Sequence, residues 1–125
     1  MMKYLRSYKI FENNLKLNPG DNIYMYLKNI ATDILLPLKD EDINYFIWTE
    51  EYFNMCHAVI TILASKTPFD LGKINSDIDH LISTMESKGH KLYSAKFGNY
   101  KEYKIDTDYS GLIITEVVLK FEIKM

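Results

Sequence analysis

Apolar residues recur at helical spacing twice along the chain, and alternating strand-like residues follow each time. Ile23, Leu27, Ile30, Ile34 and Leu38 make the first stripe, the signature of a helix with one apolar face. Pro19-Gly20 breaks the chain before it, and Asp21 is placed to cap the helix N-terminus. Pro37 falls inside the pattern and should end or kink the regular helix, because it removes a donor and crowds the preceding turn. Ile74, Ile78, Leu81, Ile82 and Met85 make the second and cleaner stripe, with Gly89 as the expected left-handed residue after its end.

The strand signals lie between and after these helices. Ile43 to Trp48 and His57 to Leu63 are rich in β-formers and predict an antiparallel hairpin, although Glu50 to Met55 could instead open a helix. Thr67-Pro68 reads as a turn. Leu92 to Phe97 and Tyr100 to Ile105 flank Gly98-Asn99, a two-residue hairpin signal. Finally Ile113, Thr115, Val117, Leu119, Phe121 and Ile123 recur at every second position and, from Glu116 onward, alternate with Glu116, Lys120, Glu122 and Lys124, which predicts a long strand largely buried on one face.

Ile30-Ala31-Thr32-Asp33-Ile34 rhymes with Ile74-Asn75-Ser76-Asp77-Ile78, so the two halves read as tandem helix-hairpin units. The expected fold is α+β: a two-layer sandwich of helices on an antiparallel sheet, in the order α-β-β-α-β-β-(β). Residues 1–125 form one domain by length, with residues 1–20 read as an arm or a short strand.

Composition changes this picture modestly. Apolar residues at 47% and charged residues at 26% suit a globular chain rather than a disordered one. The single cysteine, Cys56, excludes an internal disulfide framework and suits a reducing compartment. No signal peptide and no 18-residue apolar run are present, so the expected location is the cytoplasm, with no membrane partner. Only Arg6 among the 15 basic residues is arginine, which leaves little bidentate capacity for phosphate or guanine. Charge is segregated: residues 31–87 carry ten acids against three lysines, and residues 88–104 carry five lysines against Glu102.

No catalytic constellation emerges. Asp106-Thr107-Asp108-Tyr109-Ser110-Gly111 opens like a calcium loop, but the twelfth position holds Val117 in place of a bidentate glutamate. The weak metal candidates Asp106, Asp108 and Ser110 therefore read better as a polar turn, and no metal or cofactor is expected. Cys56 and His57 are neighbours in a strand, so they should point to opposite faces. His80 and Asp77 read as an exposed helical pair, and His90 as a residue meeting a helix C-terminus. No base is recognisable beside Cys56, so a non-enzymatic role is expected.

Binding candidates are clearer. The acidic stretch Asp40, Glu41, Asp42, Trp48, Glu50, Glu51 and Tyr52 places aromatics beside charges, as interface anchors often are, unless Trp48 is core. A weaker alternative is nucleic acid on a basic hairpin carrying Lys96, Tyr100, Lys101, Tyr103 and Lys104, with Tyr93 as a further ring among the lysines, set back by the acidic balance and the missing arginines.

Three segments resemble small reading frames of tailed bacteriophages. Met2-Lys3-Tyr4-Leu5 with Lys9-Ile10-Phe11-Glu12 resembles their "MKYIKLFE" openings. The run from Asp33 to Glu41 resembles their "DILLPLKDEG" segment, and Met85 to Tyr93 resembles "DYMESKGYKLY". Asp42-Ile43 departs from the glycine and aromatic usual there. The resemblance implies a small phage protein and brings no catalytic residues. The function expected is an accessory protein that binds a host or phage protein in the host cytoplasm and inhibits a defence system. Its first rival is a virion or assembly component that self-associates as a homo-oligomer through the edge offered by the final strand.

Overall fold

The computed structural model describes residues 19–52 and 55–123. The first 18 residues, on which the choice between an arm and a strand falls, lie outside this range. The first helix, α1, spans Pro19–Leu35. Pro19 and Gly20 thus belong to its first turn instead of breaking the chain, and Asp21 lies inside the helix instead of capping it. Proline is tolerated there because first-turn amides have no intrahelical acceptor. Pro37 acts as expected: the α-helix stops at Leu35, and Leu36–Glu41 continue as a 3-10 helix with the proline in its first turn. Asp42, at φ 61°, ends that turn and donates its amide to the carbonyls of Leu38 and Lys39.

The hairpin prediction holds, with longer strands. β1 (Ile43–Tyr52) and β2 (Met55–Ala64) pair antiparallel without a register shift from Ile43 opposite Ala64 to Tyr52 opposite Met55. A short β3 (Phe69–Asp70) and a 3-10 turn over Leu71–Lys73 then lead into α2 (Asn75–Ser87). Helix α2 buries Ile78, Leu81, Ile82 and Met85 and is followed by Gly89 at φ +93°. The Gly89 amide reaches the Glu86 carbonyl at 3.0 Å and that of His90 reaches Met85 at 3.1 Å, satisfying carbonyls the helix end leaves open.

The second half differs from the sequence expectation. β4 (Lys91–Phe97) pairs with β5 (Lys101–Glu102) over two positions only. Phe97 faces Lys101, so the loop is the three residues Gly98-Asn99-Tyr100 instead of two, with Gly98 and Tyr100 at positive φ. The expected final strand divides into β6 (Ile113–Ile114), which pairs with β3 in a separate ribbon, and β7 (Glu116–Ile123). β7 is central: the sheet order is β1-β2-β7-β4-β5, and its pairs are antiparallel. The edge attributed to the last strand therefore belongs to β1. The sequence rhyme falls in the last turns of α1 and around the start of α2, two non-equivalent places.

Register assigns every strand residue to a face. Cys56, Ala58, Ile60 and Ile62 of β2 lie opposite Ile123, Phe121, Leu119 and Val117 of β7, and all eight are buried. They join Leu27, Ala31, Ile34 and Leu35 of α1, the buried face of α2, and Ala95 and Phe97 in one apolar core. The fold is α+β, with two helices and a mainly antiparallel five-stranded sheet among the described residues.

Candidate functional site

On the other face of the sheet, Phe46 lies opposite Thr61, Trp48 opposite Val59, and Glu50 opposite His57. His57, Val59 and Thr61 are at most 7% exposed, whereas Phe46, Trp48, Met55 and Tyr93 are 43–61% exposed. The buried centre of this face lies beneath the long side chains around it. The Tyr93 ring lies over His57, with centroids 4.9 Å apart. A bulge in β4 between Leu92 and Ser94 re-aims the backbone there, as bulges commonly do. Lys120 reaches from β7 to Glu50 at 3.2 Å, spanning β2, and its ammonium sits 5.8 Å from the Tyr93 ring centre. The Thr61 hydroxyl is buried here with no hydrogen-bond partner among the described residues.

This arrangement answers the question left over Trp48, which is exposed rather than core. Phe46 was missed from sequence, and Tyr93 stood out there only as a ring among the lysines of the basic segment. The signal for Phe46 was its two-residue separation from Trp48, which puts both on one strand face. Nothing local places Tyr93 over His57, because the bulge that aims it arises from pairing with β7.

The acidic candidates flank β1. Asp40, Glu41 and Asp42 are exposed at its entry, while Glu50 is half-buried and Glu51 exposed at its exit. Tyr52 closes the strand. The backbone phase of β1 follows from one bond, Ser65 N–H to the Asp42 carbonyl at 3.0 Å. Asp42 and Ser65 continue the β1–β2 register, so hydrogen-bonded pairs recur at Asn44, Phe46, Trp48 and Glu50. Tyr45, Ile47 and Thr49 consequently direct their amides and carbonyls away from β2, where no described strand pairs with them.

The basic hairpin does not gather its candidates. Lys96 and Tyr100 line an open depression of about 300 Å³ with Glu116, Val118 and Lys120. Lys101 lies one strand position from Glu102, which faces Lys96, and so points to the opposite side. Lys104 is exposed beyond β5. Tyr103 is core: it is 4% exposed, donates to Asp79 Oδ1 at 2.5 Å, and stacks on Tyr109 with centroids 5.2 Å apart. Burial, then the Asp79 hydrogen bond and negative charge, push its hydroxyl pKa far up. It is not available to stack a base.

The loop from Asp106 to Gly111 is held by its own polar groups and by the carboxylates of Asp79 on α2 and Asp70 on β3. Asp108 Oδ1 accepts from the Ser110 amide at 2.9 Å and hydroxyl at 2.6 Å, and these bonds lower the carboxyl pKa. The Asp106 amide donates to Asp79 Oδ2 at 3.1 Å, and Gly111, at φ +85°, donates to Asp70 Oδ1 at 3.0 Å. Among the described residues, no three His, Cys, Asp or Glu side chains are gathered so as to hold a metal.

Cys56 faces the core and His57 the opposite side, as alternation requires. Burial, aided by the charge of Glu51, raises the Cys56 thiol to about 11, which leaves little thiolate at neutral pH. His80 is exposed on α2, and burial raises the Asp77 carboxyl more than His80 lowers it. His90 is buried beside Tyr26, whose hydroxyl lies 3.0 Å from Nε2, and burial followed by Lys88 lowers its pKa.

No protein-family model matches the chain, and no curated protein or solved structure matches it either. Among the described residues, no helix is long and apolar enough to cross a membrane.

Proposed function

We propose that the protein acts by binding another protein, without catalysis, through the open sheet face around Phe46, Trp48 and Tyr93. The observation that carries this reading is the exposure of Phe46, Trp48, Met55 and Tyr93 on one sheet face, with the Glu50–Lys120 pair lying among them. Aromatic anchors surrounded by polar groups are the usual composition of an interface centre and its border. In the setting its phage-like segments imply, the partner is a host or phage protein in the host cytoplasm, and inhibition of a host defence system is the expected consequence. On this reading, the helices form one layer against the core face, and the uncovered second face does the binding. The reading of two duplicated helix-hairpin units belongs to the same proposal and rests on element order, α1 before β1–β2 and α2 before β4–β5.

The test is a tagged pull-down from infected and uninfected host lysates treated with nuclease, comparing wild type with a Phe46→Ala/Trp48→Ala double variant. The reading expects one stoichiometric protein that the variant fails to retain while remaining folded. Equal retention by both would overturn the assignment of the face. Turnover of a substrate that depends on one side chain would overturn the non-catalytic reading.

A further inference from the structure

We infer that the outer edge of β1 is a docking strand for an extended segment of the partner protein, with lysine or arginine at both ends of an alternating apolar stretch. The inference rests on the protein-binding reading and adds how the partner is recognised. Ten residues, Ile43–Tyr52, run without a register shift, and none of them is proline or lysine. Edge strands usually carry such features to prevent pairing with another chain. Tyr45, Ile47 and Thr49 present their backbone donors and acceptors outward, as derived from the Asp42–Ser65 bond. An added strand would complete these bonds, and its alternate side chains would lie beside Phe46 and Trp48 on one face and Tyr45 and Ile47 on the other.

Charge selects the occupant. Asp40, Glu41 and Asp42 stand before the apolar stretch Tyr45 to Thr49, with Glu50 and Glu51 after it. Lys39 is the basic residue next to the entry, and Lys120 at the exit is engaged with Glu50. A second copy docked antiparallel would bring its own Glu50 and Glu51 to this acidic entry, like charge upon like. A segment with basic ends meets carboxylates in either orientation, and its apolar centre meets the apolar centre of β1.

The experiment uses the isotope-labelled full chain and a synthetic capped peptide, Lys-Lys-Val-Thr-Val-Thr-Val-Lys-Lys, at low salt. Amide exchange at Tyr45, Ile47 and Thr49 should be fast in the free chain and slow about tenfold or more on binding, while the inward amides of Phe46 and Trp48 stay protected. Added salt should reverse the slowing. Thr49→Pro should remove binding and leave the β1–β2 ladder intact, because the Thr49 amide points outward. An Asp40→Lys/Glu51→Lys variant should weaken it severalfold. Failure of the peptide to slow these amides would overturn the inference, as would equal binding of a glutamate-ended peptide. Protection already present in the free chain would also overturn it, because the edge would then be occupied by a second copy or by other residues of the same chain. If Thr49→Pro keeps the lysate partner and Phe46→Ala/Trp48→Ala loses it, the edge assignment falls while the protein-binding reading stands.

Discussion

The two faces of the sheet bury their centres by different means. Ile60 and Val59 are neighbours on β2 and are 1% and 2% exposed. Ile60 belongs to the core that both helices share, whereas Val59 lies opposite Trp48 and Lys120, outside that core. On the core face, the buried strand residues share one apolar cluster with buried residues of both helices. On the open face burial comes from individual side chains, each with a solvent-facing surface of its own. A face of the second kind can exchange its cover of water for a partner while the fold stays intact, which is the physical ground for the binding proposed there.

Substitutions should expose the difference. Phe121→Ala removes a fully buried ring from the core face and should destabilise by about 3–5 kcal/mol, read by denaturant unfolding. Val59→Ala should cost less, about 1 kcal/mol, because Trp48 and Lys120 can settle into the space. Equal losses per deleted methyl at Val59 and Ile60 would show that the open face is packed as rigidly as the core.

Alkaline pH should report on the burial of Cys56 on the core face. The folded thiol pKa of about 11 lies above its ordinary value of 9.0, so the fold favours the protonated form. That contribution is fully present below pH 9 and should be lost as pH rises from about 9 to 11. The wild-type stability curve should therefore fall more steeply over this interval than that of Cys56→Ala. Parallel curves would mean that the thiol titrates as if exposed.

Phe46→Ala/Trp48→Ala should abolish partner binding while shifting stability by only about 1 kcal/mol, read by thermal unfolding beside the pull-down. A core-sized loss would place both rings among the fold's supports. Lys120→Ala should have the smallest effect, about 0–1 kcal/mol, because its ion pair with Glu50 is partly solvated. High salt should shrink that difference further.

Much of the candidate surface was legible from residue types but not from their positions. Trp48 between Glu50 and the Asp40 to Asp42 corner was marked as an anchor from its charged surroundings, and it is exposed. Tyr103 looked equivalent to Tyr100, since both stand among lysines. One is 4% exposed and the other 85%. The difference comes from α2, where Asp79 lies in reach of the Tyr103 hydroxyl, a contact between residues 24 apart. Gly72 gave no signal at all. A Cβ there would stand 2.5 Å from the Ser110 backbone, a close approach created only when the turn after β3 meets the distant loop.

Local periodicity determined both helices, the effect of Pro37, the Gly89 terminus, the β1–β2 hairpin and the one-sided burial of Val117 through Ile123. Each depends on residues within a few turns or positions of one another, where spacing alone aligns side chains. Tertiary structure decided which strand is central and which is an edge. The alternation that made the final strand look like a sheet edge fits a central strand equally well, because alternation reports a face and not a neighbour. Pairing with β2 and β4 places β7 inside the sheet and leaves β1 outside. Those pairings join residues far apart in sequence, for which no local pattern carries a signal.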